Sequence, residues 1–188
     1  MQYFIQKNYS ARDAKTYSTG FNATEGTCIR KLVDKSYSPR DAGTYCKDLD
    51  PVGVECLDEL MTKGYSPRDS GGYCRGLNKV AFSCLSRLMT KGYSPRDART
   101  YCQDINAPED KCLQDLMSRN YNPRDSITYC KGVTDETAAC LSKLVEKGYN
   151  ARDASTYCKD LSASEVSCLE NLVNQGHNAR NARATCKR

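Results

Sequence analysis

Between Leu49 and Arg75 the apolar positions follow two short helical rhythms separated by a turn. Leu57, Leu60 and Met61 recur at helical spacing and leave Glu55, Asp58, Glu59 and Thr62 on the other side. The spacing predicts an amphipathic helix with one narrow apolar stripe. Asp50 stands where its N-cap belongs, Lys63 suits the negative end of the dipole, and Gly64 is placed as a left-handed terminator. Ser66-Pro67-Arg68-Asp69 then supplies a capping serine, a proline at the first helical position and an acid at the third. This opens a second helix reaching about Cys74. The product is a helical hairpin of about 12 plus 9 residues with a tight turn.

The pattern returns every 28 residues without an insertion. One phase holds Tyr9, Tyr37, Tyr65, Tyr93, Tyr121, Tyr149 and then His177. Three residues on stand Arg12, Arg40, Arg68, Arg96, Arg124, Arg152 and Arg180, followed by Asp13, Asp41, Asp69, Asp97, Asp125 and Asp153, with Asn181 ending that series. A second tyrosine phase holds Tyr17, Tyr45, Tyr73, Tyr101, Tyr129 and Tyr157 and gives way to Thr185. The N-cap phase reads Asn22, Asp50, Asn78, Asn106, Thr134 and Ser162. Glu25, Glu109 and Glu165 complete capping boxes there, whereas Gly53, Ala81 and Thr137 are not expected to. A strict period means that each hairpin meets its neighbours in the same way. The expected fold is all-α, an α-solenoid of about seven 28-residue repeats. It would occupy residues 1–188 as a single tandem-repeat domain with boundaries near 21, 49, 77, 105, 133 and 161.

The cysteines occupy two phases and admit two regular pairings. Pairing across the hairpin joins Cys28 to Cys46, Cys56 to Cys74, Cys84 to Cys102, Cys112 to Cys130, Cys140 to Cys158 and Cys168 to Cys186, and leaves none over. Pairing across the inter-repeat loop, Cys46 to Cys56 and onward, strands Cys28 and Cys186. Cys56 and Cys74 flank Tyr65 symmetrically and so lie level on antiparallel helices, which favours the hairpin staple. The chain starts within a first helix, at the phase of Leu57. The partner for position 18 is therefore missing, and that position is Ser18.

Composition explains why staples are needed. Leu, Ile, Val and Phe supply only 29 of 188 residues, a share at which a highly charged chain stays unfolded, but the net charge is only +5. Disulfides offset the lean core and imply an oxidising compartment, whether secreted, periplasmic or cell-surface. Met1 to Tyr9 has neither the basic start nor the apolar run of a signal peptide, and no stretch approaches a membrane span. Neither zinc nor redox catalysis is expected, because no CxxC pair or His/Cys cluster is present. No cofactor site and no enzyme chemistry are expected either. The one histidine, His177, replaces a tyrosine, and the chain has no nucleophile with an orienting base and no glycine-rich phosphate loop.

The arginine phase is the candidate for function. A cation at the second position of a helix opposes the dipole by roughly 0.3 to 1 kcal/mol, so either a partner compensates it or the charge is wanted. One reading is an inter-repeat ion pair or a bond to neighbouring carbonyls. The other makes Arg40, Arg68, Arg96, Arg124 and Arg152 a row of anion sites on the hairpin-turn edge, beside Lys35, Lys63, Lys91, Arg119 and Lys147. The aspartates that follow read as capping acids, and both tyrosine rows as packing. The first-helix outer face changes from Glu55, Asp58, Glu59 and Thr62 to Ser83, Ser86, Arg87 and Thr90, and then to Lys111, Gln114, Asp115 and Ser118. Solvated surface or a diversified binding face fits that variation, whereas nucleic acid would need a sustained basic stripe.

In layout the chain resembles the helical-hairpin solenoids of the tetratricopeptide kind, which are interaction scaffolds. Its units are shorter, and the Trp, Leu-Gly and Ala signatures of those repeats are absent. The expected function is a non-enzymatic, exported scaffold that binds a protein or an anionic surface polymer, with no nucleic-acid partner and no membrane insertion. The alternative is a structural protein that associates end to end into extracellular filaments.

Overall fold

The computed structural model describes residues 1–187 and contains, among them, fourteen α-helices and no strand. In chain order these are α1 (Gln2–Gln6), α2 (Ala11–Ser18), α3 (Ala23–Asp34), α4 (Pro39–Cys46), α5 (Pro51–Thr62), α6 (Pro67–Cys74) and α7 (Lys79–Thr90). They continue with α8 (Pro95–Cys102), α9 (Ala107–Ser118), α10 (Pro123–Cys130), α11 (Asp135–Glu146), α12 (Ala151–Cys158), α13 (Ala163–Asn174) and α14 (Ala179–Cys186). From α3 onward a 12-residue helix alternates with an 8-residue one, which is the all-α solenoid class of 28-residue hairpins that the sequence predicts.

The chain forms two compact units, Met1–Arg99 and Thr100–Arg188. In the first, α3 packs on α4 and α5 on α6 as hairpins; α5 also packs against α3 and α7, and α4 against α2 and α6. In the second, α9, α11 and α13 form one layer and α10, α12 and α14 the other. Each core is a thin seam: Ile29, Leu32, Leu57, Leu60, Leu85 and Leu88 are fully buried in the first unit, and Leu113, Leu116, Leu141 and Leu144 in the second.

Bridges cross that seam. Cys28–Cys46, Cys56–Cys74, Cys112–Cys130, Cys140–Cys158 and Cys168–Cys186 are bonded, with Cα atoms 5.6 to 5.9 Å apart. Cys84 and Cys102 are also in disulfides, and no cysteine is free. Ser18, where the cysteine is missing, turns its hydroxyl back to the Ala14 carbonyl at 2.6 Å. A chain whose cysteines are all bonded in this way belongs in an oxidising compartment. No helix among the described residues is long and apolar enough to cross a membrane.

The helix ends follow the sequence, with two additions. Asn22, Asp50, Asn78, Asn106, Thr134 and Ser162 all accept from the third amide of their helix. The expectation for Thr137 is corrected: its hydroxyl accepts from the Thr134 amide at 2.8 Å, so a threonine closes the reciprocal box that glutamate closes elsewhere. The hairpin terminators have left-handed backbones, Ser36 (φ 70°), Gly64 (89°) and Asn120 (66°) among them. A second left-handed position follows α2, α4, α6, α8, α10 and α12, with Asp48, Asp104 and Asp160 alternating with Gly20, Gly76 and Gly132. Glu25 and Glu109, both buried, accept from the amides of Asp48 (2.8 Å) and Gly132 (2.7 Å), so one carboxylate ties the start of a long helix to the exit of its short partner. From α5 onward the residue before each long-helix N-cap is also buried, as at Leu49, Leu77, Ile105 and Leu161, in the position of a hydrophobic staple.

Two fold predictions follow from the seam. Replacing both Cys56 and Cys74 by Ala is expected to cost about 3 kcal/mol in urea unfolding, from the entropy of an unclosed loop. Ser70 and Ser126 occupy a phase that is Ala14, Ala42, Ala98, Ala154 and Ala182 elsewhere, and their hydroxyls are buried without a hydrogen-bond partner. Ser70→Ala and Ser126→Ala are each expected to raise stability by about 1 kcal/mol; a loss would mean that the hydroxyl is satisfied in solution.

Candidate anion-binding face

The short helices before α14 share one kind of start, whereas in α14 Asn178 accepts from the Arg180 amide and Asn181 replaces the acid. The N-cap Ser38, Ser66, Asn122 or Asn150 accepts from the amide of the following Asp41, Asp69, Asp125 or Asp153, and its own hydroxyl or amide donates back to that carboxylate. The aspartates are thus capping acids. The arginine between cap and acid points outward: Arg40, Arg68, Arg96, Arg124 and Arg152 are all exposed. The side chains of Arg40, Arg68, Arg124 and Arg152 make no hydrogen bond or ion pair among the described residues, so no compensating partner is in place for them.

The edge they share is less basic than the sequence suggests. Lys63 pairs with Glu59 at 3.1 Å, and Arg119 is claimed by Glu146 at 2.8 Å and Asp115 at 3.2 Å. Those two carboxylates hold the Arg119 guanidinium charged beyond its ordinary range. A capping aspartate offsets the charge beside each of these arginines, while Lys35, Lys91 and Lys147 stand exposed at the same turns.

Part of the variable outer face of the long helices is used internally. Lys31 pairs with Asp58, Lys143 with Glu170 (2.6 Å), Ser86 donates to Glu59 (2.5 Å), and Arg119 reaches both Ser142 and Glu146. A residue that varies between repeats thus matches a variable partner one repeat on. Such exposed pairs are worth only about 0–1 kcal/mol each, so their effect is more on register than on stability.

Cations also gather along the short-helix face. One phase reads Gly43, Gly71, Arg99, Ile127, Ser155 and Arg183, and at Arg99, Ser155 and Arg183 it meets carbonyls left open where the preceding short helix ends. Ser155 donates to the Tyr129 carbonyl at 2.6 Å, and Arg183 donates to the carbonyls of Thr156, Tyr157 (2.8 Å) and Lys159 (3.1 Å). At Gly71 the backbones approach directly, and a Cβ would lie 2.5 Å from the Tyr45 carbonyl oxygen. In the second unit this arrangement leaves a groove of about 400 Å³ between α10, α12 and α14, lined by Tyr129, Arg152, Ser155, Lys159, Asp160 and Arg183. Three cations face one carboxylate there. Three repeats earlier the same phases hold Arg68, Arg75 and Arg99, with Gly76 in place of the acid.

The arginine row alone does not point to Arg75, Lys159, Arg99 and Arg183: the phase of Arg75 and Lys159 is cationic in five of seven units yet lies outside the expected edge, and that of Arg99 and Arg183 is cationic in three. The signal lay in pairing each phase with the carbonyl that it meets one repeat back.

Both tyrosine rows pack as expected, half-buried for the most part, with edge-to-face contacts between Tyr9 and Tyr17 (5.9 Å) and between Tyr149 and Tyr157 (6.1 Å). The first row has a further duty. The hydroxyls of Tyr121 and Tyr149 accept from the amides of Ala151 (3.3 Å) and Ala179 (3.0 Å), the first residues of the next short helices. Where that residue is proline, as at Pro39, Pro67, Pro95 and Pro123, there is no amide to satisfy.

Compared with protein-family models, curated proteins and solved structures, the chain matches none of them. Its functional reading therefore rests on this geometry.

The close approach at Gly71 makes a testable contrast. Gly71→Ala is expected to destabilise by about 1–3 kcal/mol through its clash with the Tyr45 carbonyl. Gly72→Ala meets nothing within 4 Å and should stabilise by about 0.5–1 kcal/mol from helix propensity alone. Thermal unfolding of the two variants gives opposite shifts if the geometry is right.

Proposed function

We propose that this chain is a non-enzymatic, exported repeat scaffold that binds an anionic polymer along its short-helix face. The observation that carries the reading is the groove of the second unit, where unpaired Arg152 stands with Lys159 and with an Arg183 already ordered by three backbone carbonyls. A guanidinium fixed by backbone acceptors is pre-organised, so less entropy is lost when an anion arrives. Repetition at one phase suits a linear ligand, each repeat adding a weak site and the array supplying avidity. The disulfide framework supports placement outside the cell, in the periplasm or at a cell surface, where polyanionic glycans and polymers are exposed. Calorimetric titration of a heparin-derived oligosaccharide at low ionic strength is expected to show binding that weakens as salt is raised. Arg152→Ala with Lys159→Ala is expected to lower the affinity about tenfold with helicity unchanged. No binding at low salt would overturn the reading.

End-to-end self-association is a second reading, and one observation favours it: Met1 and Ile5 are 61% and 44% exposed on the first hairpin, beside a cleft of about 360 Å³ lined by Tyr3, Phe4, Tyr17 and Phe21. The last hairpin presents exposed Asn171, Asn174, His177 and Asn181, a polar face. Light scattering over a wide concentration range decides it: polymers that vanish on Ile5→Lys support assembly, and a constant monomer excludes it.

A further inference from the structure

One short helix has no side chain at a phase on its exposed side. The phase that is Thr16, Thr44, Thr100, Thr128 and Thr156 is Ala184 in α14 and Gly72 in α6. Thr44, Thr128 and Thr156 each fold their hydroxyl onto the carbonyl one turn back, at 2.9 to 3.1 Å, and so cover the helix backbone. Gly71, beside it, is required by the Tyr45 carbonyl; Gly72 is required by nothing in the fold, since a Cβ there would meet no atom within 4 Å. Glycine inside a helix costs roughly 1 kcal/mol relative to alanine, so the bare position is a standing penalty without a packing return. Gly76, one turn on, is a glycine for its left-handed backbone (φ 68°), as Gly20 and Gly132 are in the same phase, and it leaves α6 without the acid that stands there at Asp48 and Asp160.

The bare strip is framed by cations. Arg68, Gly72, Arg75 and Gly76 follow one another at i, i+4, i+7 and i+8 and share one face of α6 and its exit. Arg68 is exposed and unpaired at the start. At the far end Arg75 donates through Nε to the Lys47 carbonyl at 2.9 Å, and Arg99 donates to the Arg75 carbonyl at 3.0 Å, so two guanidinium groups are held where α4 and α6 finish. The two ends are separated by about 10 Å of helix axis. Of the nearby acids, Asp69 is occupied by the Ser66 hydroxyl, and Asp48 lies one loop back.

We infer that the Arg68–Gly72–Arg75–Arg99 strip is the principal ligand seat of the first unit, taking a sulfated or carboxylated oligosaccharide whose ring lies directly on the α6 backbone at Gly72 while its acidic groups reach the arginines at either end. This deepens the polyanion-binding reading and rests on it. A sugar ring fits a surface with no side chain, its hydroxyls meeting the Arg68 carbonyl that a threonine would otherwise cover. An acidic peptide would gain only from the charges and would not need the glycine.

The test is Gly72→Thr, which installs the residue that five of the other six short helices carry at this phase. The oxidised full chain and the variant are titrated with a heparin-derived octasaccharide and, separately, with an oligoglutamate peptide, and amide shifts at Gly72 and Gly76 are followed by NMR. The expected result is a higher melting temperature together with about tenfold weaker octasaccharide binding, a loss matched by Arg68→Ala. Oligoglutamate binding should be unchanged by Gly72→Thr. If the wild type binds the octasaccharide and Gly72→Thr binds equally well, while Arg152→Ala with Lys159→Ala weakens it, the seat is wrong and the polyanion reading stands. If the wild type binds no octasaccharide, both fall. Equal loss of peptide and sugar on Gly72→Thr overturns the choice of glycan.

Discussion

The structure depends on a covalent clamp between two helices that could not hold each other by burial. A short helix of eight residues offers the seam little beyond a small residue and a cysteine, as Ala42 and Cys46 do in α4. Isolated helices of this length are marginal in water, so their order is borrowed from packing and crosslinks. The disulfide sits at the last residue of the short helix, while the hairpin turn closes its first. Pinned at both ends, the short helix can present its outer side to solvent with few apolar anchors. That is why the face most available for a ligand is also the one with the thinnest core behind it.

Between hairpins the solution is different. Backbone carbonyls left over where one short helix ends are met from the next repeat by a hydroxyl, a guanidinium or simply a glycine that lets the chains close. Long helices are joined by charge pairs whose members change together, as Lys31 with Asp58 and Lys143 with Glu170 do. The fixed phases of the repeat build a hairpin, and the variable ones fit it to its neighbours. A cation recruited to close a carbonyl row also charges the groove beside it, which links the packing of Arg183 to the proposed function of its face.

This division explains what could be read from sequence. Helix starts, hairpin turns and disulfide pairing depend on residues close in the chain and repeat at one phase, so Ser66, Gly64 and Cys56 announce themselves. The contacts of Ser155 or Arg99 depend on a carbonyl about 24 to 26 residues back and on a phase that accepts several chemistries, so no single-position pattern reveals them. The left-handed Asp48, Asp104 and Asp160 were hidden because aspartate carries no steric signature for that backbone, although glycine at the intervening repeats did. For the candidate site, the exposed arginines were visible by position. The pairing of Lys63 with Glu59 and of Arg119 with Glu146, and the cations gathered at the other end of the short helices, depend on contacts that no single phase shows.

The tyrosine hydroxyls that accept from Ala151 and Ala179 also give the array a grammar. A short helix headed by proline brings no open amide and can follow any neighbour. One headed by a buried alanine is complete only behind a repeat whose tyrosine reaches it, whereas at Ala11, in the first hairpin, the residue is exposed and water can serve. Duplication and shuffling of repeats would therefore be asymmetric. Proline-headed units are free modules and can be copied anywhere, while alanine-headed ones travel with their predecessor.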